Sequence, residues 1–309
     1  MPDPVSPTSA SLAAAHTLPP SAEQLRRQTN RRAILAILAA MAAFVTNDAM
    51  VKYTSQSLPA AQLIFMRGAT ACLIVLCAAY AMGELGRIRE MAHRWVVIRT
   101  ASETTGTMLY LTSLFHLPIG NATAINMAAP LFITIFAAWF MREKVNGLRW
   151  LAIGVGFTGV LLVIQPRANG FNSFAILCLV ATVFHAARDL LTRRIPSTVP
   201  GILITLASAL GVTLVSGVLS LVQGWAPFTW QQMATLGLAS LFLVIGNFLI
   251  IYGMRHGEVS LVAPFRYSSL LFAVLLGFGV WGDVPNALAW IGIALLVGSG
   301  LTMLRSERR

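Results

Sequence analysis

Residues 142–159 read REKVNGLRWLAIGVGFTG, and residues 282–299 read GDVPNALAWIGIALLVGS. In both, an acid (Glu143, Asp283) stands seven positions before a tryptophan (Trp150, Trp290), and an apolar run ending in small residues follows. The offset between them is 140, and the same offset aligns His116 with His256 and Ile119 with Val259. At an offset of 141, NDAMVK (47–52) aligns with RDLLTR (188–193), so that Asp48 matches Asp189 and Pro59 matches Pro200. A register held over about 130 residues marks an internal duplication.

The surrounding composition says what is duplicated. Of 309 residues, 57% are hydrophobic and 11% charged, and the mean hydropathy is +0.74. So few charges cannot cover a soluble surface, and so much apolar sequence excludes disorder for most of the chain. Cys72, Cys77 and Cys178 each lie in an apolar run and read as packing residues, which excludes a disulfide scaffold. A spanning helix takes about 20 apolar residues. Ten segments fit, near 33–52, 60–82, 94–115, 119–140, 148–165, 172–192, 200–222, 234–254, 259–280 and 286–304. Residues 1–32, rich in Pro, Ser and Thr, read as a disordered cytoplasmic tail without a signal peptide, and 305–309 as a cytoplasmic end.

The expected fold is therefore all-α and integral to the membrane. It has a first five-helix unit at 33–165 and a second at 172–304. Five is odd, so the second unit enters the bilayer inverted. The net charge of +11 follows the same plan. With the N-terminus in the cytoplasm, sixteen of the 22 Lys and Arg fall inside, only Lys52 and Arg167 fall outside, and Arg67, Arg99, Arg188 and Arg266 lie within spans. This is the positive-inside pattern, with both termini cytoplasmic. The basic charge thus reports topology and contact with anionic lipid rather than nucleic acid. Loops 87–94 and 142–149 are basic, whereas their counterparts near 228–235 and 282–289 carry no Lys or Arg. Inverted repeats of this kind are a mark of secondary transporters.

Two five-helix repeats, and the acid-to-Trp signature before the last helix of each, resemble the drug/metabolite transporter superfamily, in particular its EamA-like branch. The resemblance covers about 33–304. It implies carriage of small organic metabolites through a central cavity lined by both halves, in a bacterial inner membrane. The stretch NDAMVKYTSQSLPAAQLIFMRG (47–68) is similar to proteobacterial importers proposed for riboflavin or S-adenosylmethionine.

Polar groups in spans are costly and face protein or a watery cavity. Asp48 and Lys52 are one turn apart and are expected to pair, as are Asp189 and Arg193. Asn47 is then free to point inward. Arg188, its repeat mate, either lines the pathway or snorkels to the surface. Arg67 reads as a structural pair or as a hold for an anionic or carbonyl-bearing solute. Glu103 is a candidate for substrate contact and for proton coupling, with a bridge to Arg99 at i−4 as the plainer reading. Gly106, Thr107 and Tyr110 continue its polar stripe. Asn126 precedes Pro130, and Arg266 and Tyr267 follow Pro264, where prolines free backbone carbonyls. His185 and Asn247 complete the substrate-site candidates. Glycines 154, 156, 159, 292, 298 and 300 suit close packing of helices or a homodimer interface.

A secondary carrier is the leading reading, with riboflavin uptake as the lead and S-adenosylmethionine or amino-acid transport as alternatives. A flavin would use aromatic and amide groups, whereas the other two would use Glu103 with an arginine. An integral-membrane enzyme is the reading from another class, but no carboxylate cluster or HExxH suggests a metal or catalytic site. No cofactor is implied. A nucleotide-driven pump lacks its GxxxxGK[ST] loop, and no filter segment suggests a channel.

Overall fold

The computed structural model describes residues 22–140, 147–165, 173–256 and 263–306. Their regular structure is entirely helical, with no strand among them. In chain order the helices are α1 (Ala22–Thr54), α2 (Ala60–Ala81), α3 (Arg94–His116), α4 (Ile119–Asn126), α5 (Ala129–Phe140), α6 (Gly147–Ile164), α7 (Ser173–Thr192), α8 (Gly201–Gln223), α9 (Trp230–His256), α10 (Ser268–Trp281) and α11 (Ala287–Ser306). Tight 3₁₀ turns at Glu84–Ala92 and Ala263–Tyr267 precede α3 and α10.

Among the described residues, six stretches are long and apolar enough to cross a membrane: those of α1, α2, α7, α8 and α9, and Ile119–Phe136, which runs through α4 into α5. Shorter apolar helices lie at Trp150–Ile164, Phe265–Trp281 and Ala287–Thr302. Helix α3 has 23 residues but carries Arg94, Arg99 and Glu103, which lower its hydropathy. Helix α1 begins at Ala22, inside the expected disordered tail, because AEQLRRQTNRR is made largely of good helix formers. Residues 1–21, Glu143 and Arg167 lie outside the described residues.

The expected fourth span is broken. Helix α4 ends at Asn126, the Met127 N–H still reaches the Thr123 carbonyl at 3.0 Å, and α5 restarts at Ala129. Pro130 is tolerated there because the first turn of a helix needs no N–H from it. The 3₁₀ turn ending at Tyr267 breaks the ninth span at the position 140 residues on.

The helices pack in pairs: α1 with α9, α3 with α7, α2 with α8, α6 with α11, and α4 with α10. One large apolar core runs between them, including Val45, Leu63, Leu111, Ile125, Leu236 and Leu296. Much of the outer surface is also apolar, with Leu73, Leu214, Phe248, Leu271 and Phe278 all exposed. An apolar exterior around a partly polar interior suits lipid as solvent.

Contacts group the connections at two ends. At one, the Gln62 amide donates to the Ala226 carbonyl and accepts from its N–H, both at 2.9 Å, while Gln232 meets Ser57 and Gln165 meets Asn286. Lys52 donates to the Leu117 carbonyl and lies 5.1 Å from the Trp281 ring centre. The other end is arginine-rich: Arg87 bonds Glu90 and the Thr198 carbonyl, and Arg94 and Arg194 both lie over Trp95. Gln62 is fully buried and pairs with backbone as another strand would. Gln62→Leu should therefore remove both hydrogen bonds to the half-buried Ala226 backbone and cost roughly 1–3 kcal/mol. Thermal unfolding in detergent micelles checks this, with an unchanged midpoint as the contrary result.

The glycines divide by position. A Cβ at Gly159 would stand 2.6 Å from the Gly292 carbonyl oxygen, and one at Gly292 2.5 Å from that of Gly159. Backbones therefore touch where α6 crosses α11. Gly156 is similarly closed by Leu131 and Ser299, and Gly300 by the Tyr267 ring. Gly154 and Gly298 face open space.

Candidate functional site

Inside the apolar bundle, five helices bring charged and amide side chains together. On α1, Asn47 donates to Asp48 Oδ1 at 2.8 Å. Tyr110 of α3 donates to the other carboxylate oxygen at 2.9 Å. Arg67 of α2 donates to Asn47 Oδ1 at 3.4 Å. Two turns before Tyr110 on α3, Glu103 accepts from Arg188 of α7 at 2.7 Å, and Arg188 also bonds Asp189 at 2.9 Å. Between these two groups lies His185, whose Nδ1 donates to Asn126 Oδ1 of α4 at 3.0 Å and whose ring centre is 5.8 Å from that of Tyr110.

Close approach of backbone makes the cluster tight. A Cβ on Gly106 would come within 2.7 Å of the His185 ring, so only glycine lets α7 bring His185 against α3. The repeat-related contact exists too, since a Cβ on Gly246 of α9 would come within 2.8 Å of Phe44 on α1. Gly246 stands 140 residues after Gly106, and His185 stands 141 after Phe44. In the same way, Thr70 of α2 meets Ser240 of α9 at 2.6 Å, and their counterparts, Gly211 of α8 and Thr100 of α3, also touch.

Three expected pairings are replaced. Asp48 bonds Asn47 and Tyr110 rather than Lys52, which turns to Leu117 and Trp281. Glu103 bonds Arg188 rather than Arg99, which donates to Thr192 and Ser208. Asp189 bonds Arg188 rather than Arg193. For Asp48 and Glu103 the cause is shared: spacing along one helix gives about 0.2–0.5 kcal/mol, and partners on neighbouring helices win, whereas Asp189 takes the residue next to it on α7.

Of the candidates read from sequence, Asn47, Glu103, Tyr110, Asn126, His185 and Arg188 lie in this cluster. Asn247 donates to the Leu243 carbonyl of its own helix at 2.9 Å. Arg266 is exposed, and Tyr267 packs against Gly300 of α11. Asp48 and Arg67 belong to the cluster as well, although intrahelical spacing had given Asp48 to Lys52. The signal that could have found Asp48 is the repeat itself. Each half places an acid after a polar residue at the same register, Asn47–Asp48 and Arg188–Asp189, and in each the first residue donates to the second.

Asp48, Glu103 and Asp189 face as many arginines: Arg67, Arg99 and Arg188. Their charges act on one another across the cluster. The site can offer aromatic faces, amides, and both donors and acceptors, at formal neutrality. No group of metal-binding residues occurs among the described residues.

A bundle with a polar centre and an apolar exterior is the build of a membrane transport protein. The chain belongs to the EamA-like transporter family, whose model matches residues 31–165 and again 172–305. It is 28% identical over 272 residues to a riboflavin transporter of Vibrio cholerae, covering 85% of this chain and 89% of that one. A pseudopaline exporter of Pseudomonas aeruginosa is 25% identical, over 89% of this chain and 96% of that one. An S-adenosylmethionine uptake transporter of Rickettsia bellii is 23% identical, over 85% and 90%. A solved crystal structure with 18% identity shares the fold at a TM-score of 0.62, covering 90% of this chain and 98% of that chain.

Proposed function

We propose that the protein is a secondary carrier that moves a small, uncharged organic metabolite by alternating access, and that riboflavin uptake is its activity. It does so as ten spans in two inverted five-helix repeats, with both termini in the cytoplasm of a bacterium and the bundle in the inner membrane. The observation that carries this reading is the charge-balanced polar cluster joining α3 of the first half to α7 of the second. A site neutral when empty stays neutral around a solute without net charge. A solute bringing one net charge would leave it uncompensated in a medium where that is costly. Riboflavin fits this condition; S-adenosylmethionine, with its sulfonium, does not.

The helix pairing supports the repeat. Exchanging the halves turns the α1–α9 pair into α7–α3, and returns α2–α8 and α6–α11 to themselves. The mirrored contacts Gly106–His185 and Gly246–Phe44 obey the same exchange. Gathering of arginines at one end of the bundle supports the orientation. Glu103 remains the proton-coupling candidate, and to carry a proton it must first release Arg188.

The test is uptake of labelled riboflavin and labelled S-adenosylmethionine into cells lacking their own carriers. Saturable entry of riboflavin, uncompeted by S-adenosylmethionine, is expected. Entry of S-adenosylmethionine alone, or efflux of a preloaded metabolite with no flavin entry, would overturn the reading.

A further inference from the structure

The two guanidinium groups at the heart of the cluster are in opposite conditions. Arg188 is paired with two acids, Glu103 at 2.7 Å and Asp189 at 2.9 Å. Arg67 is only 6% exposed, yet its one side-chain hydrogen bond among the described residues is the 3.4 Å contact with Asn47. Its Nε is buried with no partner. A guanidinium has five N–H donors, and leaving them unused away from water is costly. Its backbone is anchored, since the Arg67 carbonyl accepts from both Thr70 and Ser240 at 2.8 Å. Gly68, the next residue, lies tight against Thr213 of α8. The backbone is thus held in place while the buried Nε lacks an acceptor.

Acceptors beside it are likewise in surplus. Each oxygen of Asp48 takes one hydrogen bond, from Asn47 and from Tyr110. A carboxylate can accept about four. Unspent donors on Arg67 and unspent acceptance on Asp48 therefore stand side by side, their charges cancelling.

We propose that Arg67, with Asp48 and Asn47, is the specificity-determining subsite, and that it takes a carbonyl–N–H–carbonyl edge, the face of a neutral imide ring. Arg67 donates to a carbonyl oxygen, and Asp48 receives the imide N–H. Tyr110 and His185 stand beside the ring plane. This rests on the flavin reading above and assigns which end of the flavin is read.

The test is flavin fluorescence quenching by the purified protein in lipid nanodiscs. The probes are riboflavin, lumichrome (the ring system without the ribityl chain) and N3-methylriboflavin. The native protein should bind riboflavin and lumichrome and disfavour the N3-methyl compound by roughly tenfold or more. Arg67→Gln should weaken riboflavin by roughly 10- to 100-fold and erase the N3-methyl discrimination. Asp48→Asn, which keeps shape and folding contacts, should erase the discrimination as well. Flavin binding with discrimination unchanged in both variants would overturn the inference alone. Preference for a carboxylate-bearing competitor over lumichrome would overturn it too, since Arg67 would then be pairing with an anion. Native protein that quenches no flavin would overturn the flavin reading and this assignment together.

Discussion

Replacing Arg188 by leucine is expected to destabilise the protein strongly and to abolish transport. Glu103 has a side chain 17% exposed, and Arg188 is its ion-pair partner. The pair is only partly buried, so breaking it from one side strands the remaining charge at a cost below the roughly 3–5 kcal/mol of a fully buried pair. The single variant Arg188→Leu should therefore unfold well below the native midpoint. The double variant Glu103→Gln/Arg188→Leu should regain most of that loss, because no unpaired acid remains on α3 and Asp189, 37% exposed, can reach water. Transport should stay lost in both. Thermal unfolding in detergent, run as a double-mutant cycle, reads the coupling directly. A loss in the double variant equal to the sum of the losses in Arg188→Leu and Glu103→Gln alone would show that the pair is not coupled.

Gly159→Leu is expected to prevent stable folding, whereas Gly154→Leu, five residues earlier on the same helix, should be nearly silent. At Gly159 the obstacle is the Gly292 carbonyl on α11. Backbone cannot rotate away as a side chain can, so the two helices must separate, losing packing along their whole crossing. At Gly154 a Cβ meets nothing within 4 Å. Size-exclusion profiles and yield of the two variants, expressed side by side, distinguish them. Normal yield of Gly159→Leu would mean that α6 and α11 are free to move apart. Loss of a dimer peak in Gly154→Leu would assign the open glycine face to a second copy.

Apolar runs of about 20 residues made the helices legible in the sequence, and the repeat offset made their order legible. The break at Met127–Ala128 was signalled only by Pro130, and the 3₁₀ turn before α10 only by Pro264. The partners of the charged side chains were not legible. A sequence shows what is one turn away on the same helix, so Lys52 and Arg99 stood out for Asp48 and Glu103. In the fold Tyr110 and Arg188 lie nearer, 62 and 85 residues off in the chain. Asn247 was read from depth in a span and Arg266 from its place after Pro264, and neither reports which way a helix is rotated. His185 was equally ambiguous by depth, and Gly106 opposite it was the only residue that hinted at how close α7 comes.

Glu103 and Tyr110 on α3 correspond to Leu243 and Ile250 on α9. For a carrier whose halves trade places during the cycle, the duplication is then geometrical but not chemical. Rocking to the opposite state carries the Glu103 and Tyr110 contacts into positions for which α9 holds only hydrocarbon. The two end states therefore cannot be isoenergetic. On the proposed mechanism one of them is a resting state favoured by side chains, and the empty carrier would wait with one mouth preferentially presented.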